Sequence, residues 1–534
     1  MAPGQLALVL HAHLPFVRHP EHDDFLEECW LFEAVVGTYL PLLEVFDRLE
    51  RDKISFALTL TLTPTLCAML ADPLLQARTQ RYLERVVELA EIEISRTASE
   101  EDPRPYELAL FYRDRLRSLR EQYVDRWRGD LVGAFRGFQD RGRLEIITCA
   151  ATHGFLPLMA NHTGAVRAQI RVACADYERH FGRRPRGIWL PECAYFSGLD
   201  RELAAAELRW FVLDAHGVLL GRPRPRAAMY EPGITAAGPA VFGRDREASR
   251  QVWSAEVGYP GDFRYRDFYR DIGFDLPAER LAPFLPPGAP RRFTGIKYHR
   301  VTGRDVALNT KDYYRRAEAM DAVRSHAAHF LESRLAQMER LREAREFAPI
   351  VVVPFDAELF GHWWYEGPEF LEEFFRRAAN SPLRLTTPSR YLTEFPTHQL
   401  LDPSPSSWGQ NGYWEVWLQP RNSWIYRHLQ PAAKRMSELA RLHHGLNGRS
   451  PLLERALRQM ARELFLAQAS DWAFLMKTGT ASEYASRRTR THLARFHRLA
   501  AAASRGEVDL KELERSEARD NLFPELDWRV FVES

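Results

Sequence analysis

The chain has 534 residues, of which 45% are apolar, and is long enough for two or three globular domains. Its 73 basic and 72 acidic residues give a formal net charge of +1, so no global field favours nucleic acid or an anionic membrane as a partner. A neutral substrate is compatible with this balance, and the 13 tryptophans suit a carbohydrate cleft, where sugar rings stack on aromatic side chains.

The cysteines indicate neither a zinc site nor a disulfide framework, because they are odd in number and none of them form a CxxC pair. The apolar run at the N-terminus is too short for a signal sequence or a membrane span. These features predict a cytoplasmic protein with reduced thiols. The five cysteines are Cys29, Cys67, Cys149, Cys174 and Cys193.

The first predicted strand is the apolar run Leu6–Leu10, which leads into His11 and His13. Histidines at positions i and i+2 of an extended segment point the same way, which suits two donors aimed at one ligand or two metal ligands. Neither an HExxH motif nor an acidic cluster accompanies the pair, so contacts with sugar hydroxyls or carboxylates are favoured over a metal. We expect no metal and no cofactor.

Helical spacing follows over Glu28–Leu49, with Trp30 near its start as a cleft or core residue. The alternation in Lys53–Leu62 predicts the second strand. Residues 73–141 are charged, carry Leu, Val and Tyr at three- and four-residue intervals and contain no strand signal. They are predicted to form a helical insertion.

The third and fourth strands each deliver a polar side chain at their end. Leu144–Ala150 is followed by His153, and Gly187–Pro191 is followed by Glu192, with a predicted helix over Arg167–Phe181 between them. Ligands sit at the carboxyl ends of parallel strands, so Glu192 is a candidate for chemistry. The alternative is that Glu192 neighbours a helix N-terminus.

Trp210–Leu213 repeats the pattern, because this strand leads into Asp214 and His216. Strands and helices that alternate, with polar residues at the strand ends, predict a β/α barrel more than an open sheet. The Pro-, Gly- and Arg-rich stretch Gly221–Ala240 is predicted to be a long surface loop and a candidate lid. Thr294–His299 resembles a short strand, and Glu318–Glu346 a long amphipathic helix.

The β-branched run Ile350–Val353 predicts a buried parallel strand that Pro354 stops just before Asp356. His362 and Trp363 follow closely, and an acid beside aromatics suggests a sugar site. Alternatively, Asp356 caps the next helix and the aromatics are core residues. Two carboxylates at separate strand ends are what glycoside hydrolysis requires, so Glu192 and Asp356 form the candidate catalytic pair.

The last third of the chain changes character. Leu383–Thr387 is a short predicted strand, Pro396–Ser407 a predicted linker or domain edge, and Trp408–Trp417 an aromatic loop. Helical periodicity dominates from Ser423 to about Ala503. We therefore predict a catalytic domain over residues 1–400, with the insertion at 73–141, and a helical domain over 401–534 that completes the substrate cleft.

Five motifs resemble those of glycoside hydrolase family 57, and together they span nearly the whole chain. The resemblance implies an α/β fold, namely an incomplete (β/α)7 barrel with a helical insertion and a C-terminal α-helical bundle, and a retaining mechanism without metal. The motifs are HAHLP at 11–15, ATHGFLP at 151–157, WLPECAY at 189–195, PFDAELFGHWW at 354–364 and the loop at 408–417.

The resemblance also assigns roles to individual residues. It implies that Glu192 is the nucleophile and Asp356 the general acid/base. It further implies a set of substrate-cleft residues, which are Trp30, Arg270, Gly295, Trp408, Trp417, Asp471 and Trp472. The residues at the strand ends and in the PFDAELFGHWW motif add further candidate substrate contacts, which are His11, His13, His153, Asp214, His216, His362 and Trp363.

Within the family the chain is similar to α-glucan branching enzymes and to a group described as α-amylases. Branching members carry a tyrosine on a mobile loop, for which Tyr230 is the candidate here, and Thr480 stands where some of them have glutamine. The expected substrate is an α-glucan such as amylose or a glycogen-like polymer. Branching is the leading hypothesis, α-amylase activity the second and 4-α-glucanotransferase activity a third, with a non-catalytic glucan-binding protein as the alternative of another class.

Overall fold

The computed structural model describes residues 4–254, 257–285, 289–343, 348–445 and 450–532. Over these ranges the chain has a mixed α/β fold, with parallel strands in its core and many helices around them. The predicted fold class is confirmed at this level. The strands are β1 Gln5–Ala12, β2 Leu58–Leu62, β3 Leu144–Ile147, β4 Gly187–Ile188, β5 Trp210–Leu213, β6 Gly233–Ile234, β7 Ala240–Gly243, β8 Ile350–Asp356 and β9 Arg384–Leu385.

The strands form two sheets, and β1 is the centre of the first. The order of this sheet is β3-β2-β1-β8, with β9 pairing the start of β1, and all of its pairs are parallel. Every residue of β1 is buried, which fits a parallel strand covered on both faces and explains its continuous apolar run. The second sheet has the order β4-β5-β7-β6, in which only β6 runs antiparallel to its neighbour.

Two isolated bridges join the sheets to each other at both edges. Thr148, just after β3, pairs with Ile188 of β4, and the N–H of Trp189 donates to the Thr148 carbonyl at 2.8 Å. Arg244, just after β7, pairs with Val352 of β8. Seven parallel strands, β3, β2, β1, β8, β7, β5 and β4, therefore present their carboxyl ends at one edge of the fold.

Several predicted strands are longer or shorter in the structure than in the prediction. β2 begins at Leu58 and not at Lys53. Lys53 has a φ of 57° and closes a turn, in which the Lys53 N–H donates to the Glu50 carbonyl. The segment Thr294–His299 is not a strand, since the N–H groups of Thr294 and Gly295 donate to the Asp271 carboxylate at 3.0 Å each. The Asp271 side chain accepts the hydrogen bonds that a neighbouring strand would otherwise accept.

Pro354 does not stop β8, which continues through Asp356 and pairs Val9 with Pro354. The carbonyl of Val352 faces β7, because it accepts from the N–H of Asp245 at 2.8 Å. Pro354 lies two residues further and faces the same side, where β7 has already ended. Its missing N–H therefore removes no ladder bond.

The helices surround the sheets. They are α1 Cys29–Ala34, α2 Leu40–Arg51, α3 Pro64–Leu70, α4 Pro73–Thr97, α5 Arg104–Glu121, α6 Leu131–Asp140, α7 Thr163–Phe181, α8 Leu199–Ala205, α9 Ala215–Leu219, α10 Arg246–Trp253, α11 Ile272–Asp275, α12 Ala278–Leu281, α13 Arg316–Glu343, α14 Gly367–Ala378, α15 Pro388–Glu394, α16 Tyr426–His444, α17 Pro451–Ala467, α18 Ser470–Thr478, α19 Ser482–Arg505 and α20 Leu510–Arg519. The end of the predicted helix Glu318–Glu346 lies outside the described residues.

The helices α4, α5 and α6 occupy the predicted insertion 73–141. One helical stretch among the described residues, Leu26–Arg51, is long and apolar enough to cross a membrane. Its apolar window is 72% buried against the rest of the protein. That burial is typical of a core helix.

Tyr230, the candidate lid residue in the stretch Gly221–Ala240, lies far from the ends of the strands that carry the carboxylates. The carbonyl of Tyr230 accepts from the N–H of Ile350, the first residue of β8, whereas Asp356 is the last residue of that strand. Six steps along a strand span roughly 20 Å. The interpretation of Tyr230 as a residue that covers the cleft is therefore wrong. Proline and glycine content predicts a loop, but it does not indicate at which end of the sheet the loop lies.

The predicted linker Pro396–Ser407 is attached to the second sheet by backbone bonds. The carbonyl of Gln399 accepts from Ile234 at 2.9 Å, and the N–H of Ser406 donates to the Tyr195 carbonyl at 3.2 Å. The stretch is therefore packed and not a free connection. It carries the chain directly to Trp408, whose N–H donates to the Glu192 carbonyl at 2.9 Å.

Candidate active site

Glu192 lies on a single 3₁₀ turn, Pro191–Cys193, immediately after β4. Its φ of 62° is in the left-handed region, which is unfavourable for a residue with a side chain and is found at functional sites. Two donors hold its carboxylate. The indole N–H of Trp408 donates to Oε2 at 2.8 Å, and the hydroxyl of Ser470 donates to Oε1 at 3.3 Å.

The environment of Glu192 balances two opposing effects. Burial raises its pKa to about 7, and the hydrogen bonds from Trp408 and Ser470 oppose that rise because they stabilise the anion. Its side chain is 16% exposed, so a ligand can reach it. Glu192 is thus an oriented carboxylate that ionises near neutral pH.

Asp356 ends β8 and stands in register with His11 of β1. No donor among the described residues bonds to its carboxyl group, in contrast to Glu192. Burial raises its pKa to about 8, and the nearby charges of Glu358 and Glu192 add to that rise. Asp356 therefore holds a proton at a pH at which Glu192 can lose one, which is the division of roles between an acid and a nucleophile.

Three histidines line the space beside the two carboxyl groups. His11 Nε2 lies 3.0 Å from His153 Nε2, and the rings of His13 and His153 stack with centroids 3.9 Å apart. Burial lowers the pKa values of His11 and His153, so both are neutral. Burial lowers the pKa of His13, but the carboxylate of Asp471 at 3.0 Å together with those of Glu358 and Glu192 outweighs burial, so this pKa is raised.

These side chains also bear on the expectation that no metal is bound. Two groups of possible ligand atoms within 4.8 Å of one another occur here, His11 with Cys149 and His153, and His13 with His153 and Asp471. Both nitrogens of His13 and of His153 already have hydrogen-bond partners. The nitrogens of His13 and His153 are thus taken up by protein partners, whereas the buried Nδ1 of His11 has no hydrogen-bond partner among the described residues. The absence of a metal stays a prediction.

Asp214 and His216 are tied to the aromatic loop that carries Trp408. His216 Nδ1 lies 3.1 Å from Asp214 Oδ1, and its Nε2 lies 2.8 Å from the carbonyl oxygen of Gly412. Arg244 donates to Asp214 at 3.4 Å, and its guanidinium lies 5.5 Å from the Trp408 ring centre. Asp214 and His216, which were predicted to contact substrate, thus hold the loop that positions Trp408.

Trp417 and Trp472 do not line a cleft, contrary to the prediction. Each is 1% exposed. Trp417 stacks on Phe155 with centroids 4.4 Å apart, and the indole N–H of Trp472 donates to the Leu466 carbonyl at 2.7 Å. Both are core side chains, and the aromatic content of the sequence could not distinguish a buried ring from an exposed one. Trp408, which is partly exposed, remains a candidate stacking surface.

We expect Trp417→Ala to lower the free energy of unfolding by about 3–5 kcal/mol, the usual cost of emptying a buried tryptophan site. Branching and hydrolysis should then fall in proportion. Thermal unfolding and product analysis measure both effects. A variant with wild-type stability and a selective loss of one activity would contradict the core assignment.

The other predicted contact residues have no described contact with Glu192 or Asp356. Trp30 is partly exposed and meets Tyr484 edge-on. Trp363 is 51% exposed and stacks on Phe268. Arg270 bonds to Asp275 and to the Lys311 carbonyl. Burial lowers the pKa of His362 to about 4, and this ring and Gly295 line a common cavity.

Gly361 brings the segment after Asp356 close to the N-terminal helices. Its φ is 113°, and a Cβ at this position would lie 1.9 Å from the carbonyl oxygen of Gly37. Only glycine fits this close approach. The FGHWW part of the motif is therefore needed for packing as well as for contacts.

Sequence reasoning missed four residues of the site, which are Tyr39, Arg244, Glu358 and Ser470. Glu358 was within a quoted motif, two residues after Asp356, and its charge raises the pKa of Asp356, so its proximity to the catalytic pair was available as a signal. Tyr39, Arg244 and Ser470 come from distant parts of the chain and carried no local pattern.

Comparisons with known proteins agree with this geometry. The glycosyl hydrolase family 57 model matches residues 7–403, which is well over half of the chain. The chain belongs to glycosyl hydrolase family 57. A second model, described as 1,4-alpha-glucan branching enzyme, C-terminal, matches residues 428–531.

Several relatives of this family 57 protein match nearly the whole length of this chain. A 1,4-alpha-glucan branching enzyme of Thermococcus kodakarensis is 37% identical, over 97% of this chain and 77% of the relative. The crystal structure of an alpha-amylase from Thermotoga maritima has 43% identity and a TM-score of 0.93, covering 100% of this chain and 99% of that one. A family 57 branching enzyme from Pyrococcus horikoshii has 34% identity and a TM-score of 0.89, with 99% and 97% covered.

Proposed function

We propose that this protein is a retaining 1,4-alpha-glucan branching enzyme in which Glu192 is the nucleophile and Asp356 the general acid/base. The observation that carries the proposal is the contrast between the two carboxyl groups. Glu192 accepts two hydrogen bonds that favour its anion, whereas Asp356 has no described donor and its pKa is raised to about 8.

In the first step Glu192 attacks the anomeric carbon, the bond to the leaving glucan breaks, and Asp356 donates its proton to the leaving oxygen. In the second step a 6-hydroxyl of another chain attacks the glycosyl-enzyme, Asp356 accepts the hydroxyl proton, and Glu192 leaves. An α-1,4 linkage becomes an α-1,6 linkage. We expect the two carboxyl groups to be roughly 5–5.5 Å apart, as in retaining enzymes.

The C-terminal helices support transfer to a glucan acceptor. The N-terminal turn of α18 supplies Ser470 to Glu192 and Asp471 to His13, so the part of the chain that resembles branching enzymes contributes directly to the site. Asp471 and the partly exposed Trp408 would contact the glucan. A site completed by a second region can exclude water from the glycosyl-enzyme.

A second candidate function is α-amylase activity, which the 43% identity to the Thermotoga maritima alpha-amylase favours. Water would then take the place of the acceptor hydroxyl, with the same two carboxyl groups. Tyr230, the candidate lid residue, lies at the other end of the strands, which removes one argument for a covered acceptor site.

We also propose that seven parallel strands form the incomplete (β/α)7 barrel implied by the family. The bridges at Thr148 and Arg244 support a closed ring in the order β3-β2-β1-β8-β7-β5-β4. A C-terminal helical bundle fits the close packing of α17 against α19. The five free cysteines, four of them buried, support a cytoplasmic location.

Incubation with amylose tests the proposed function. We expect new α-1,6 linkages, measured as chains released by a debranching enzyme, to exceed the new reducing ends. The Glu192→Gln protein serves as the matched control and should produce neither. Reducing ends without α-1,6 linkages would establish the amylase instead.

A further inference from the structure

A third buried carboxylate, that of Glu358, stands two residues after Asp356 and has no role in the steps above. It is 8% exposed and lies on the 3₁₀ turn Ala357–Leu359. The hydroxyl of Tyr39 donates to its Oε1 at 2.5 Å, and the backbone N–H of His13 donates to the same oxygen at 3.2 Å. These two bonds link the end of β8 to the end of β1 and to the N-terminal helices.

Hydrogen-bond donors are distributed unevenly among the three carboxyl groups. Glu192 receives two donors and Glu358 receives two, whereas Asp356 receives none from the described residues. Donors stabilise a carboxylate and not a carboxylic acid. When the three groups share one proton, the least costly place for it is therefore Asp356.

We propose that Glu358 is a positioning residue whose negative charge keeps the proton on Asp356 until that proton is transferred to the leaving oxygen. The proposal rests on the roles proposed for Glu192 and Asp356. Glu358 need not touch the substrate, because it acts through Asp356 and through the backbone of His13.

The surrounding charges fit this role. The effect of Glu358 on the pKa of Asp356 is larger than that of Glu192 and second only to burial. His13 and Arg244 oppose it, and each is itself paired with a carboxylate, Asp471 and Asp214 respectively. The other titratable groups that face this space are His11 and His153, which are neutral, and Tyr39 and Cys193, whose pKa values are raised well above their usual range.

Glu358→Gln separates charge from geometry, because the glutamine carbonyl still accepts from Tyr39 and His13. Loss of the negative charge should lower the pKa of Asp356, so the alkaline limb of the kcat profile should move to lower pH by roughly one unit. The KM and the kcat at low pH should change little. The carbonyl band of protonated Asp356, assigned in the infrared by difference from Asp356→Asn, should titrate over the same lowered range.

Glu366→Gln is the matched control, since Glu366 is also buried but is not one of the charges that act most strongly on Asp356. Tyr39→Phe is the second variant. Loss of the Tyr39 hydroxyl disfavours the Glu358 anion, so the alkaline limb of the kcat profile should again move to lower pH. The proposal is overturned if the Asp356 band titrates in both variants as in wild type, or if Glu366→Gln shifts it equally. The infrared titration needs no turnover. A wild-type protein that is inactive on amylose would therefore refute the proposed function, and the effect of Glu358 on Asp356 could still be measured.

Discussion

Glu192→Gln is expected to reduce turnover of amylose by roughly 10⁴-fold or more, the scale seen when a covalent nucleophile is removed. An amide cannot form the glycosyl-enzyme. Its carbonyl oxygen can still accept from the indole of Trp408, so the local structure should survive. Kinetic assay and thermal unfolding of the same preparation measure the two effects separately.

The matched control for this substitution is Glu366→Gln, which neutralises a buried carboxylate outside the pair. It should retain activity if it remains folded. Retention of most activity by Glu192→Gln, at a wild-type melting temperature, would place the nucleophile elsewhere.

Asp356→Asn is expected to lower kcat with amylose by roughly 10²–10⁴-fold, the usual contribution of general acid catalysis. The pKa of Asp356 is raised to about 8, so the acid form is present below this pH and is lost as the pH rises through it. Wild-type activity should therefore fall on the alkaline side. The variant should lose this limb, because asparagine does not titrate.

A substrate with a leaving group that needs no proton, such as an α-maltosyl fluoride, separates the two steps. Formation of the glycosyl-enzyme should be restored in Asp356→Asn, while its breakdown stays slow. If the variant is equally defective with the fluoride and with amylose, or keeps the alkaline limb, Asp356 is not the acid.

The sequence was sufficient to find the two carboxylates because both follow strands buried on both faces. Such strands appear as continuous apolar runs, as in β4 with the buried Trp189 and Leu190 that follow it and in β8, and their polar ends stand out. The prediction for β8 was wrong only in that Pro354 does not end the strand. The missing N–H of Pro354 faces the side on which β7 has already ended. The neighbourhood of Glu192 and Asp356 could thus be inferred from local patterns.

Long-range contacts account for most of what the sequence did not reveal. Whether Trp417 is buried depends on Phe155, far away in the chain, and composition carries no record of that pairing. The stretch after Pro396 was mistaken for a linker because its partners, Ile234 in the second sheet and Tyr195 after the turn that carries Glu192, lie far away in the chain. The hydrogen bond from Tyr39 to Glu358 likewise joins residues 319 positions apart.

Trapping of the covalent intermediate tests the central claim most directly. Asp356→Asn is incubated with α-maltosyl fluoride, digested, and examined by mass spectrometry for a glycosylated peptide. The account predicts a single adduct on Glu192, absent from the Glu192→Gln/Asp356→Asn double variant. An adduct on Glu358 or Asp471, or turnover of the fluoride with inversion at the anomeric carbon, would contradict it.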